Sequence, residues 1–369
     1  MANLLKEGRE RRVVARISAM FQRRKQRKDK VQHEIASATR SGESGGSEFQ
    51  VDEDKTKLTK LKDTSPEDVY MCQIILQSLS QSEIETAARS SYEYFRCVEL
   101  GSENNCNKAA QKPDNSMRNM YAMKMARRHL VAEKGNINTA IEKIKSTIAF
   151  REKMNIDIMR QCFYKFNNEE TNNIRHIRKG IEEELSDGKH IVRGHDIDKH
   201  AFFIVFPRRY TSFDHDWYLK GKLYSIERAI AYTESISSGE IEKINVVFDY
   251  QGYRSDKHEP PLSLIKGLLF CLRDHYPERL QSMYLVDVPF RFRAFWAILK
   301  PFIDPVTKSK IQIVNGDEQK QHIFQNLVSP DQAMSFMRKD GLKPDDYDIE
   351  NWTNIVPFNY DIDWKKSKA

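Results

Sequence analysis

The stretch that most constrains the fold of this chain is 275–314, HYPERLQSMYLVDVPFRFRAFWAILKPFIDPVTKSKIQIV. Met283, Tyr284, Leu285, Val286 and Val288 form a nearly continuous apolar run, the pattern of a strand buried on both faces. Pro289 ends it. Phe290, Phe292, Phe295, Trp296, Ile298 and Leu299 then crowd into ten residues. Phe292, Phe295, Trp296 and Leu299 fall at i, i+3, i+4 and i+7, which predicts one apolar stripe on a helix over 290–300. Pro301 and Pro305 break that helix, and Lys310 to Val314 reads as a second strand. An aromatic helix between two strands either packs into a core or covers something apolar that comes and goes. Spacing alone does not choose between the two.

The flanking sequence extends the alternation. Ile191-Val192 and Ala201 to Phe206 read as strands divided by the polar turn 196–199. A helix over about 217–237 follows, then a strand over Ile244 to Asp249, then a helix with Leu262, Ile265, Leu268, Leu269 and Leu272, stopped by Pro277. Strands alternating with helices predict α/β layers on a mostly parallel sheet of about five strands. Upstream the spacing is helical throughout. Ser65-Pro66-Glu67-Asp68 is a start signal, with Ser as cap and Pro in the first turn. Residues 101–117, rich in Gly, Asn, Lys and Pro, read as a loop or insertion. Ile137, Ile141, Ile144 and Ile148 mark an amphipathic helix opening near Asn138 and Thr139. Ser329-Pro330-Asp331-Gln332 predicts one more short helix, ending at Gly341.

Charge is concentrated at one end. The first thirty residues carry eleven Lys/Arg against Glu7, Glu10 and Asp29, a net +8, while the whole chain carries +7. The body is therefore close to neutral. Residues 1–36 form a basic arm in which Val13, Ile17, Met20 and Phe21 make a narrow apolar stripe. Arg12, Arg16, Phe21, Arg23 and Arg24 are its candidate contacts to an anionic membrane, where each basic residue is worth about 1 kcal/mol. A solvated arm without a partner explains the same residues equally well. Nucleic acid is not expected, since Phe21 is the arm's only aromatic residue. Ser- and Gly-rich residues from 37, with polar residues continuing to 63, read as a linker.

No apolar run approaches the roughly 18 residues that span a bilayer, and the N-terminus has no apolar signal core. Five scattered cysteines, Cys72, Cys97, Cys106, Cys162 and Cys271, lack CxxC spacing and favour a reducing compartment. No GxSxG, GxGxxG, P-loop or HExxH motif occurs. Asp249 and His275 are the residues that would evoke an α/β active site. His195, Asp196, Asp198 and His200 would evoke a metal, but a polar turn between strands accounts for them better.

Three segments carry a family resemblance. Tyr276-Pro277-Glu278-Arg279-Leu280, the step Val288-Pro289-Phe290, and Lys300 through Ile311 (KPFIDPVTKSKI) closely resemble the CRAL-TRIO lipid-binding domain, in particular the yeast-type phosphatidylinositol transfer proteins. The match is dense over these forty residues and weaker over about 127–320. It implies a helical N-terminal subdomain over 64–156, a lipid-binding lobe over 157–328 with a hydrophobic cavity closed by a lid helix, and a C-terminal extension over 329–369. By the resemblance, Phe290, Phe292, Phe295, Trp296 and Leu299 belong to the lid and cavity. Glu278, Thr307 and Lys310 line the headgroup subsite of phosphatidylinositol or a phosphoinositide. Their chemistry fits such a headgroup, since a lysine and a hydroxyl serve a phosphate and a carboxylate accepts from inositol hydroxyls.

The resemblance implies no catalytic residue, no metal and no cofactor, only a bound phospholipid and transient contact with membranes from the cytoplasm. A lid is physically sensible, because moving some thirty methylenes through water costs on the order of 25 kcal/mol at ~0.8 kcal/mol each. Exchange therefore has to happen at a bilayer. Two departures matter. Ile244 and Val246 stand where relatives that hold phosphatidylcholine carry hydroxyl residues, so choline-lipid binding is not expected. Val131 and Glu133 stand in a turn of the helical subdomain that usually carries arginines. The rival readings are a scaffold that kept the fold, a carrier of a terpenoid, tocopherol or retinoid, and a lipid-modifying enzyme.

Overall fold

The computed structural model describes residues 65–99, 113–161, 171–185, 188–210, 214–254 and 258–329, with Gln332 and Met337. The basic arm with Arg12, Arg16, Phe21, Arg23 and Arg24, the linker, and the helix expected after Ser329 lie outside the described residues.

The helical part opens where the cap signal placed it. Helix α1 (Pro66–Gln77) is capped by Ser65, whose Oγ accepts from the Asp68 amide at 3.1 Å. Helix α2 (Gln81–Arg89) has a reciprocal box in which Ser80 and Glu83 satisfy each other's amides. Helices α3 (Tyr92–Glu99) and α4 (Asn115–Ala132) follow. α4 starts inside the stretch expected to be a loop, because Asp114 accepts from the Met117 amide and caps it. Helix α5 (Ile137–Lys153) also begins slightly early: Asn136, not Asn138 or Thr139, is the cap, accepting from the Thr139 amide at 3.0 Å. Ile75, Ala87, Ala126, Leu130, Ile144 and Ile148 sit at the centre of this bundle.

Helices α6 (Ile156–Gln161) and α7 (Asn172–Leu185) lead into the sheet. Its strands are β1 (His190–His195), β2 (Ala201–Val205), β3 (Ile244–Asp249), β4 (Leu280–Val286) and β5 (Ile311–Val314), in the spatial order β1-β2-β3-β4-β5. Only the β1–β2 pair is antiparallel. The connections carry α8 (His215–Ile236), α9 (Leu262–His275), and α10 (Phe292–Leu299) with α11 (Pro305–Ser309). Every parallel step moves the same way across the sheet, so right-handed crossovers put α8, α9 and α10 on one face. α8 demonstrates that face directly. Its Ser225 Oγ lies 2.9 Å from His190 Nδ1 and its Lys222 ammonium 5.8 Å from the Phe203 ring. Helix α12 (Gly316–Phe324) meets the other face, with the Phe324 ring 5.3 Å from Tyr284.

The aromatic segment departs from the sequence reading in its bounds. β4 stops at Val286, and of its residues only Tyr284, Leu285 and Val286 are buried. The expectation of a strand buried on both faces therefore holds for Tyr284, Leu285 and Val286 and is corrected for Leu280 to Met283, which are half-buried. α10 runs 292–299, and Pro301 sits in a 3₁₀ turn, Lys300–Phe302. Asp304 then caps α11, a short helix where none was expected.

Candidate functional site

Two rows of apolar side chains cross the sheet on the face of α8. Register aligns Phe203, Val246, Met283 and Ile311 in one row and Val205, Phe248, Leu285 and Ile313 in the next. Burial fades along the first row, while in the second Phe248 is half-buried, Leu285 buried and only Ile313 exposed. Phe203, Val205 and Val246 are buried beneath α8, Met283 and Ile311 are half-buried, and Ile313 is 47% exposed. This is an apolar floor without a complete ceiling.

α10 stands over the same side of the sheet. Phe292 and Leu299, seven residues apart, are buried, Phe295 and Trp296 between them are half-buried, and Ile298 is 51% exposed. The Phe292 ring touches Tyr250 beyond the end of β3 at 5.2 Å. On α9, Leu268 and Leu269 are half-buried, and Phe270 meets the Phe302 ring at 6.1 Å. Phe292 and Leu299, although buried, belong to neither of the two continuous apolar cores of the described residues, and the same holds for Ile265 and Leu285. Phe290 precedes the helix and is 87% exposed, so it stands apart from the stripe formed by Phe292, Phe295, Trp296 and Leu299.

The amino ends of β3, β4 and β5 carry a row of charge. Lys243 immediately precedes β3, Glu278 lies two residues before β4, and Lys310 immediately precedes β5. Lys243 Nζ is 3.7 Å from Glu278 Oε2. Lys310 Nζ donates to the Leu280 carbonyl at 2.8 Å. Burial pushes the Lys310 ammonium below the ordinary lysine range, the Glu278 carboxylate pulls it back, and Lys243 adds to the push. Glu278 adopts φ +56°, an uncommon backbone for a residue with a side chain. Thr307, one turn before Lys310, gives its amide to Asp304 Oδ1 at 2.9 Å. Burial works against the Asp304 charge, but hydrogen bonds from Thr307 and nearby backbone outweigh it and lower the pKa. The structure therefore puts Glu278 beside Lys310, and Thr307 on the helix that leads into Lys310. Sequence reasoning passed over Lys243 and Asp304. A lone lysine before a strand has no signature until register brings three strand ends side by side.

The remaining candidates resolve into structural roles. Asp196 Oδ1 accepts from the amides of Asp198 and His200, and Oδ2 from Asn245 Nδ2 at 2.7 Å and His200 Nδ1 at 2.9 Å. Its carboxylate ties the β1–β2 turn to β3. Asp249 lies at the carboxyl end of β3, paired with Arg208 at 2.7 Å. His275 lies before β4, at the opposite end of the sheet, stacked 4.0 Å from Phe150 and 3.2 Å from Thr147 Oγ1. The two do not meet. In the last turns of α4, Val131 is exposed, while Arg128 points inward to Glu242 at 3.1 Å and to Ser90. Arg128 helps line a narrow polar crevice with His129, Arg151, Glu227, His275 and Arg279. No helix of the described residues is long and apolar enough to cross a membrane.

Comparison with known proteins agrees with this geometry. Residues 185–337 match the family model of the CRAL/TRIO domain. The chain is similar to the phosphatidylinositol transfer protein PDR17 of Saccharomyces cerevisiae, 27% identical over 210 residues, which are 56% of this chain and 54% of that protein. The chain thus spans about half the length of this curated relative. A SEC14 cytosolic factor of Candida glabrata is 33% identical over 85 residues, 23% of this chain and 28% of the relative. Among solved structures, a crystal structure of Sfh5 superposes with a TM-score of 0.51 at 16% identity, covering 83% of this chain and 98% of that one. That likeness establishes the fold.

Proposed function

Residues 185–337 of this chain are a CRAL/TRIO domain, and on that premise we propose that the protein is a non-catalytic carrier of an inositol phospholipid. It loads and unloads at the cytoplasmic surface of membranes. The observation that carries the reading is the uncovered apolar floor. Met283 and Ile311 are half-buried and Ile313 is exposed, on the side of the sheet where α10 lies. Exposed apolar surface costs about 25 cal/mol per Å², so a floor of this kind is stable when something apolar lies on it. Acyl chains satisfy it without any polar partner. The headgroup then falls at the amino ends of β4 and β5, where Lys310 meets the phosphate, Thr307 supports it, and Glu278 accepts from ring hydroxyls.

α10 is the movable cover in this reading. Phe292 and Leu299 hold it down, yet they are packed into neither main core, so displacing the helix leaves both cores intact. The names of the relatives support the choice of headgroup: PDR17 is a phosphatidylinositol transfer protein. Ile244 and Val246, both buried and apolar, disfavour a choline headgroup placed on β3.

Organic extraction of purified protein followed by mass spectrometry is expected to recover an inositol phospholipid near one per chain. Lys310→Ala is expected to lose that lipid while its Tm falls by no more than a few degrees, since the side chain is only half-buried. Recovery of no lipid, or of a sterol- or terpenoid-type ligand instead, would refute the proposal.

A further inference from the structure

We propose that Lys243 makes this carrier select an inositol lipid bearing an additional phosphate on its ring over phosphatidylinositol itself. The inference rests on the headgroup reading above and sharpens it.

The geometry comes from register. β3, β4 and β5 are adjacent and parallel, and neighbouring strands lie about 4.8 Å apart. Lys243 and Lys310 therefore stand two strand spacings apart across the sheet, roughly 10 Å, with Lys310 level with Asn245, two residues further along the strands than Lys243, and Glu278, 3.7 Å from Lys243, just ahead of the strand between them. The order across the edge is cation, carboxylate, cation. Inositol phospholipids with a phosphodiester on one side of the ring and a phosphomonoester on the other have the complementary order: anion, hydroxyls, anion.

The two lysines are held differently. Lys310 is half-buried and seated on the Leu280 carbonyl at 2.8 Å. Its position suits the phosphodiester, the part of the headgroup nearest the acyl chains and the apolar floor. Lys243 is 39% exposed, and its carboxylate neighbour is 3.7 Å away, well beyond the 2.7–2.9 Å of a good charge-assisted hydrogen bond. An exposed pair this loose contributes little stability and leaves the ammonium donors available. Phosphatidylinositol alone offers Lys243 only hydroxyls. A ring phosphate offers it charge. Glu278, held between the lysines on a left-handed backbone, accepts from the hydroxyls in between and keeps the two cations apart.

The test is competitive loading. Full-length protein is incubated with phosphatidylcholine vesicles containing equal amounts of phosphatidylinositol and a phosphatidylinositol monophosphate, re-isolated, and its lipid quantified by mass spectrometry. Wild type is expected to take the monophosphate in preference. Lys243→Ala is expected to lower the monophosphate-to-phosphatidylinositol ratio by about tenfold, the scale of one lost charge-assisted hydrogen bond, and Lys243→Arg to retain it. An unchanged ratio in Lys243→Ala would overturn the inference. So would wild type that loads phosphatidylinositol and excludes the monophosphate, which leaves the carrier reading intact. Wild type that loads neither lipid sinks the carrier reading and this inference with it. Excess inorganic phosphate is expected not to shift the ratio. If it abolished the preference, the cluster would be a site for free anions and not for a lipid headgroup.

Discussion

Glu227 shows how much of this molecule's order is set by single buried charges. It is almost fully buried on α8, 2.7 Å from Arg151 Nη1 of α5 and 3.5 Å from Arg160 Nε of α6, and it accepts from the Tyr276 hydroxyl at 2.8 Å. Burial alone would raise its pKa, but the two guanidiniums reverse that and bring it down to about 2. Glu227→Ala leaves two arginines in the interior without their carboxylate, a change that costs about 3–5 kcal/mol. The expected result is a large drop in the midpoint of urea unfolding. A drop of under about 1 kcal/mol, the scale of an exposed ion pair, would mean that Arg151 and Arg160 re-pair with Asp157, which lies 3.5 and 3.6 Å from them. In the sequence, Glu227 is one acid among many on a helix, and nothing near it announces the two arginines from other helices. Lys243 is silent for the same reason. Glu278, Thr307 and Lys310, by contrast, became candidates because they stand within segments that resemble a known family.

Among the elements, α10 is the one whose packing and function have to be reconciled. Its i, i+3, i+4, i+7 stripe was readable from spacing, and the structure buries the two ends of that stripe more deeply than its middle. Phe290 fell outside because Pro289 and Arg291 delay the helix to Phe292. Trp296 is half-buried, with its ring stacked 6.1 Å from Phe292, so its emission reports on α10. If α10 moves against a bilayer, Trp296 fluorescence is expected to shift to shorter wavelength when the protein binds phosphatidylinositol-containing liposomes. Binding seen by flotation with no change in emission would argue for a fixed helix. The strand beside it behaves differently. A continuous apolar run in β4 suggested two buried faces, and Tyr284, Leu285 and Val286 have them, while Leu280 to Met283 are half-buried because the cover over the sheet differs along the strand.

At the level of the whole molecule, the helical bundle and the α/β lobe are joined by buried polar groups, and this gives stability a pH dependence. His129 is buried in that junction and held down to about 3, by burial first and by the Arg128 charge second. His275 is lowered for the same leading reason. These rings are neutral when folded and take up protons near 6.5 when unfolded. The stability they allow is complete above that pH and lost progressively as pH falls below it. Glu227 adds a second decline, present above about 4.5 and lost toward 2. Tm is therefore expected to fall gently from about pH 6.5 and more steeply below about 4.5, with His129→Gln flattening the first part. A Tm that stays level across the first of these two ranges would contradict buried neutral histidines.

The sequence by itself determined the order of most elements and the parallel character of the sheet, because periodicity, caps and proline breaks act within a few residues of one another, while the candidate headgroup residues came from a family resemblance. Tertiary structure alone decided that α8 lies over β1, β2 and β3, that α10 joins neither core, and that Lys243 meets Glu278 at the amino ends of neighbouring strands. Those are facts of register and layer thickness, fixed by contacts between residues tens of positions apart, and no local pattern encodes them.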